Sequence, residues 1–483
     1  MHPADTIFFW AKADPERPAI IQPGMVVTYL ALADAIEAVS EQISRHEFDA
    51  AAPVAISIDN PVWQLIVTFA LLRSGIAAAP VSRGILPFLR SAGIVDIIYA
   101  GQGQVLSGGR NIRFDPSWLR RESKAALAWN PSPSPADKTN LVFFTSGTTG
   151  TPKKMIVPSS ALMERVAMLP VIGDASFGRI LVVPNLASSF SFMRTALILC
   201  AGKTACFAGD FDSQVALINI FRIEQIVASA QQVLDLLVHL EKGGKAQLDS
   251  LKDVWIGGGF VSGDLVKRIR ARLCRSVTVG YSATEAARIA FANYDLIAHI
   301  PNAVGFVVPG VRIEIVDEGN RPLPLGTEGV IRCRTNYFSR VFAANNPERA
   351  HEAVDMWWYP GDRGSLTAEG VLCITGRMDD VINCGGVKMS ATTIDDVVRK
   401  YRGVKDAAVC GVPGSSGIEE VWVAVILENE VDLSDLKNWI EASQQSVTVG
   451  KILIVDRIPR NALGKLQRHL LRDALINLNH IGA

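Results

Sequence analysis

The stretch Leu141–Met155, LVFFTSGTTGTPKKM, limits what this chain can be more than any other segment does. A run with strand character, Leu141 to Phe144, ends abruptly in Thr145-Ser146-Gly147-Thr148-Thr149-Gly150-Thr151-Pro152-Lys153-Lys154. The two glycines let the backbone turn where a Cβ would clash, so successive N–H groups can converge on one anion. Hydroxyls in the same turn and the ammonium groups of Lys153 and Lys154 add donors and positive charge. Such a turn is suited to phosphate. It is not a P-loop, because G-x-x-x-x-G-K-[ST] needs a Lys directly after the second glycine and Thr151 stands there. A plain Ser/Thr/Gly-rich turn after a buried strand fits the same composition, so other segments must decide.

The flanking chain predicts parallel α/β layers. Thr28 to Ile43 is amphipathic, Val54 to Ile58 is a short buried strand, Pro61 to Ser74 an apolar helix and Ala77 to Val81 another strand. Residues 101–140 are Gly-rich and end in alternating prolines (Pro131, Pro133, Pro135), which predicts an extended surface connection. After the turn come a helix over Ser159–Leu169 and strands at Ile180–Pro184 and Thr204–Ala208. Asp253 to Phe260, DVWIGGGF, reads as a strand leaving into three glycines that admit a flat group close to the backbone. Residues 301–334 alternate apolar residues with Gly and Pro, as an antiparallel sheet or small barrel does.

At 483 residues the chain can hold one large α/β domain and a smaller one. With 49% hydrophobic residues and zero formal charge, it has no electrostatic case for nucleic acid or an anionic membrane as partner. The longest apolar run, Val62 to Leu72, is too short to span a bilayer and is interrupted by Gln64. The start of the chain does not read as a secretory signal. Seven scattered cysteines without a C-x-x-C pair are expected to be buried free thiols of a reducing cytoplasm.

TSGTTGTPKK resembles the phosphate loop of the adenylate-forming superfamily, which includes acyl-CoA synthetases, peptide-synthetase adenylation domains and firefly luciferase. The resemblance implies that Thr145, Ser146, Gly147, Thr148, Thr149, Gly150 and Lys153 fold over the β- and γ-phosphates of ATP; Lys154 replaces the usual Gly. Gly280-Tyr281-Ser282-Ala283-Thr284-Glu285 is similar to Y-G-x-T-E, with Ser282 in place of Gly. It implies Tyr281 stacked on adenine, the Thr284 hydroxyl on the α-phosphate and Glu285 on Mg²⁺, an ion that takes few protein carboxylates beside phosphate oxygens. Gly258 and Gly259 would line the adenine and acyl pocket. Trp357-Trp358-Tyr359-Pro360-Gly361-Asp362 is similar to W-[FY]-x-T-G-D, with Pro360 for Thr, and places Asp362 on the vicinal ribose hydroxyls.

Gly376-Arg377-Met378-Asp379-Asp380-Val381-Ile382 matches G-R-x-D-D-x-I, making Arg377 a ribose or phosphate contact and Asp379 a hinge. Gly385, Gly386 and Lys388 match the glycine loop that serves the thiol step, with Lys388 where many members carry Arg. Pro459 to Arg468 resembles P-[RK]-T-x-x-G-K-[IL]-x-R, whose Lys is Lys465. The strand end Asn185–Phe190 lacks both the substrate-side His of the family and the Asp that pairs with an amino-acid ammonium. A buried unpaired ammonium costs several kcal/mol, which argues against an amino acid. Leu186, Ala187, Phe190 and Gly259 favour a hydrophobic or aryl pocket instead. Arg194 is expected on the helix surface, with anchoring of a second carboxylate as its functional alternative, Arg288 toward the same cavity, and Asp210 and Asp212 in a solvated turn.

The resemblance covers essentially the whole chain. It implies an α/β protein: residues 1–378 as a large domain of parallel α/β layers with a small β-barrel-like subdomain, then a small mobile α+β domain over 379–483. The implied activity is an AMP-forming acid–thiol ligase using ATP, Mg²⁺ and a small carboxylic acid. The acceptor thiol is CoA or the phosphopantetheine arm of a carrier protein. A luciferase-like oxygenase and a nucleotide-binding regulator without turnover are the other readings; intact Glu285, Asp362 and Lys465 argue against the regulator. The identity of the acid and the choice between monomer and homodimer are not written in these motifs.

Overall fold

A computed structural model describes the chain except residues 1, 102–105, 107, 122–138, 146–151, 169–176, 244–247, 259–260, 385–386, 414–418, 444–446, 462–463 and 482–483. Two compact units result. The first runs from the N-terminus to Asp295 and takes in Arg334–Met356, and the second holds Leu296–Cys333 and Trp357–Ala483. The 378/379 boundary expected from the motifs therefore lies inside the second unit.

In the first unit, one sheet has the strand order Arg110–Arg113, Asp96–Tyr99, Val54–Ser57, Ala78–Pro80, Asn140–Thr145 and Lys153–Pro158. All pairs in it are parallel except the last, in which Thr145 faces Lys153 across an antiparallel ladder. The other sheet runs in the order Ala287–Asn293, Ser276–Ala283, Asp253–Gly257, Gln225–Ala228, Arg179–Val182, Thr204–Cys206, Pro18–Gln22 and Met25–Thr28. Its strands from Ser276–Ala283 to Pro18–Gln22 are parallel and are flanked by antiparallel partners, Ala287–Asn293 on one side and Met25–Thr28 on the other.

Helices Pro3–Ala13, Tyr29–Ile43, Pro61–Arg73 and Ser189–Cys200 bring Ile7, Ile36, Phe69 and Phe192 into one apolar cluster with Ile56 and Phe143 of the first sheet and Ile20 and Ile180 of the second. Pro61–Arg73 is apolar on every side, which suits a helix with no solvent face, and it is buried from Val62 to Arg73 save Trp63. Parallel strands need such helical crossovers, and they leave their carboxyl-end loops free for ligands.

Two segments differ from expectation. Arg110–Arg113 is a parallel edge strand, not connection: Arg110 donates to both oxygens of Asp96 at 3.0 and 2.8 Å, and the Asn111 amide ties Leu106 and Gly109. The start of the chain, for which the sequence predicted no element, is a helix, Pro3–Ala13, turned inward on Ala4, Ile7, Phe8 and Ala11, and the His2 ring accepts from Ala4 N–H as its cap.

In the second unit, Ala303–Val307, Val311–Val316, Gly329–Thr335, Asp362–Leu366 and Val371–Arg377 make the expected antiparallel assembly. A separate three-stranded sheet (Val404–Pro413, Glu419–Leu427, Val449–Ile454) has helices on both faces. Ala391–Arg399 and Leu433–Ser443 pack Ile394, Val398, Leu436 and Ile440 on one side; Arg468–Ile481 packs Leu471 and Leu475 on the other. The Ser390 hydroxyl donates to Thr375 O at 3.3 Å, tying this part to the Val371–Arg377 strand. Cys200, Cys206, Cys333, Cys373 and Cys410 are buried free thiols and Cys274 is half-buried. Among the described residues, no helix is long and apolar enough to cross a membrane.

Candidate active site

The chain leaves the sheet at the carboxyl end of Asn140–Thr145 and re-enters it at Lys153. Thr145 sits at the strand end, where its hydroxyl reaches Lys153 O at 3.5 Å, and Lys153 is exposed. Ser146, Gly147, Thr148, Thr149 and Gly150 lie outside the described residues. The Lys154 departure has a local cause: its ammonium donates to Ala92 O at 2.8 Å, bracing a neighbouring loop.

Thr284 and Glu285 occupy the tight turn between Ser276–Ala283 and Ala287–Asn293, which Ala287 closes in the left-handed region at φ 60°. The Thr284 hydroxyl lies 2.6 Å from that of Ser189, the first residue of helix Ser189–Cys200. Glu285 is half-exposed, and its charge reaches the buried Tyr337. That phenol is pushed up to about 12, first by burial and further by Glu285, against the opposing Arg165. Gly258 has φ 78° and open space where a Cβ would stand, so a ligand can approach the backbone there. Tyr281 is half-buried on its strand beside a register shift at Tyr281/Ser282. Gly259 lies outside the described residues.

Leu186 is core and also lines an open cleft of about 260 Å³ with Gln22, Gln64 and Phe207. The Ala187 N–H is capped by Asn185 at 2.7 Å. Phe190 stacks on Trp255 with ring centroids 5.2 Å apart and planes 18° from parallel. Arg194 is only 4% exposed, against the expected surface position. Its guanidinium lies over the Trp255 ring and donates to Gln225 at 3.0 Å. Gln225 in turn donates to Asp253, which also accepts from Ser276 and Thr278, so a polar network at the strand starts accommodates the charge. Arg288 is 7% exposed, with its guanidinium over the rings of Trp255 and Phe291. Asp210 caps helix Phe211–Phe221 as an exposed residue just before it, whereas Asp212, expected in a turn, lies in the first turn of that helix and meets His239.

In the second unit, Asp362 and Arg377 face each other across paired strands, with Arg377 Nε 3.5 Å from Asp362 Oδ1. Arg377 also donates to Pro360 O at 3.1 Å, and Gly361 takes φ 77° to make the turn. Asp379 lies in the short helical turn Met378–Asp380 and Lys388 on strand Val387–Ser390; Gly385 and Gly386 lie outside the described residues. Lys465 is exposed on a turn closed by Asn461, whose N–H donates to Lys465 O and whose side chain accepts from Lys465 N–H, both at 2.9 Å. Three residues on, Arg468 anchors that turn from below on Asp395, Asp380 and Thr392.

Among the described residues no cluster of three His, Cys, Asp or Glu side chains could hold a metal. Sequence reasoning missed Ser189 and Trp255. The signal for Trp255 was the pair of glycines facing it, Gly257 and Gly280, where a Cβ would come within 2.9 and 2.8 Å of the indole.

Residues 7–342 match the AMP-binding enzyme family. The chain is 25% identical to a 4-chlorobenzoate–CoA ligase of Arthrobacter sp over 98% of this chain and 96% of that one. It is 24% identical to the medium-chain fatty-acid–CoA ligase of Escherichia coli K12, over 96% and 89%. Its fold superposes on o-succinylbenzoate CoA synthetase from Bacillus subtilis with a TM-score of 0.82 at 21% identity, over 97% and 98%. With the family match covering most of the chain and CoA ligases among its relatives over nearly its whole length, the chain belongs to the AMP-binding enzyme family, as an acyl-CoA synthetase-like member of the adenylate-forming superfamily.

Proposed function

We propose that this enzyme joins a small carboxylic acid to the thiol of CoA through an acyl-adenylate. The family match over residues 7–342 supports this reading above any other observation. A carboxylate is a poor acylating agent because oxide is a poor leaving group, and adenylation replaces that leaving group with AMP. The acid attacks the α-phosphorus of ATP in line and expels pyrophosphate. Two anions must meet, so catalysis is mostly positioning and charge neutralisation.

In this reading the turn from Thr145 to Lys153 holds the pyrophosphate portion, and Asp362 and Arg377 hold the ribose. Tyr281 and Gly258 receive the adenine. Thr284 orients the α-phosphate, with its hydroxyl aligned by Ser189. Glu285 would hold Mg²⁺, which when bound supplies charge neutralisation on the phosphates. Lys465 brings its ammonium to the incoming carboxylate and the α-phosphate. Rotation of residues 379–483 about Asp379 then withdraws Lys465 and presents Gly385, Gly386 and Lys388 for attack by the thiol, with AMP as leaving group.

The test is product mass analysis with CoA titrated against an acyl carrier protein in the presence of ATP and an acid panel. Acyl-CoA formation saturating in CoA is the expected result. Thioester only on the carrier protein would assign the acceptor to its phosphopantetheine arm, and AMP without any thioester would overturn the ligase reading.

A further inference from the structure

From the closure of one sheet face around Trp255, we infer that the acid pocket is short and takes a compact acid of about benzoate length, not a long-chain fatty acid, with Trp255 as the residue that sets its depth. This inference rests on the ligase reading above. On strand Asp253–Gly257 the Trp255 side chain lies on the face toward which a Cβ at position 257 would point, and Gly257 pairs with Gly280 on the next strand. Two adjacent glycines leave a groove on that face, and the indole fills it. A Cβ on Gly280 would lie 2.8 Å from the Trp255 ring; one on Gly257 would lie 2.9 Å from both Trp255 and Phe190.

Phe190 follows Ser189, whose hydroxyl touches Thr284, so the aromatic wall begins one residue from the group assigned to the α-phosphate. From Gly280 to Thr284 the chain covers about 13 Å when extended, which bounds the depth between the adenylation point and the indole. Benzoate fits that depth, whereas extended dodecanoate exceeds it. The wall is also held in place. Phe190 stacks on the indole, and the guanidinium groups of Arg194 and Arg288 lie 5.3 and 5.4 Å from its ring centroid. Trp255 is 3% exposed, so a longer chain would have to displace a packed ring.

Pyrophosphate release from the full chain with ATP and benzoate, hexanoate or dodecanoate tests this, with Trp255→Ala and Trp255→Leu beside the wild type and thermal unfolding as the folding check. The expected wild-type kcat/KM for benzoate exceeds that for dodecanoate by about a hundredfold, and either variant narrows the ratio by about tenfold or more. A wild type that uses dodecanoate as well as benzoate overturns the inference, whatever the variants do. So does an unchanged chain-length profile in a folded variant. Pyrophosphate release with no acid at all would instead overturn the ligase reading, and this inference with it.

Discussion

Arg468 carries the most demanding structural prediction. Its guanidinium lies 2.6 Å from Asp395 Oδ2 and 3.1 Å from Asp380, and it donates to Thr392 at 3.2 Å and to Val409 O. Asp395 is 2% exposed on its side chain and accepts the Val409 N–H at 2.6 Å; the next nearest cation, Arg399, is 3.6 Å away. Arg468→Met removes the bidentate partner and leaves a buried carboxylate with that longer pair alone. Breaking one side of a buried ion pair costs about 3–5 kcal/mol, because the remaining charge stays desolvated. Pairing Arg468→Met with Asp395→Asn removes the charge as well, and should recover about half of the loss or more. A chain of two units has no single unfolding free energy, so a local probe is needed. Hydrogen exchange at the Val404–Pro413 amides should accelerate in the single variant, partly recover in the double variant and leave Asn140–Thr145 unaffected. Protection at Val404–Pro413 unchanged by Arg468→Met would refute the reasoning.

Ser189→Ala frees the Thr284 hydroxyl from its 2.6 Å partner. Adenylation is expected to slow by about fivefold, the loss of one hydrogen bond of about 1 kcal/mol, with thermal stability nearly unchanged; steady-state pyrophosphate release measures it. Burial first, against the opposing charge of Asp5, lowers the His2 imidazole from 6.5 to about 4. The unfolded chain binds that proton near pH 6.5 and the folded chain only near 4, so the contribution is intact above 6.5 and falls away below it. The loss reaches about 3 kcal/mol by pH 4. The neutral ring also accepts from Ala4 N–H, so His2→Asn, which keeps an acceptor, should flatten the melting temperature between pH 6.5 and 4.

What was legible in the sequence was the family pattern, carried by motifs confined to short stretches. The Thr145–Lys153 segment, Thr284–Glu285, Gly361–Asp362 and the Lys465 turn each hold their polar groups within a few residues, so the pattern is local. The strand–helix alternation was legible too, because Val54–Ser57 and Pro61–Arg73 differ plainly in length and composition. Contacts made across long sequence separations were not. Ser189 meets Thr284 across 95 residues, and only a folded sheet brings Phe190 onto Trp255. Arg194 reads as surface on its own helix; the Gln225–Asp253 network that accommodates its charge comes from two later strands. The edge strand Arg110–Arg113 has little β character of its own and is held by Asp96 on its neighbour.

Phosphorus-31 NMR of ATP turned over with benzoate, by the wild type and by Lys465→Ala, tests the adenylate account at its root. The account predicts AMP and pyrophosphate in equal amounts, formed only when the acid is present and lost in Lys465→Ala, while that variant still converts a synthetic benzoyl-adenylate to the thioester. ADP with orthophosphate from the wild type, or equal loss of both half-reactions in a folded Lys465→Ala, would contradict it.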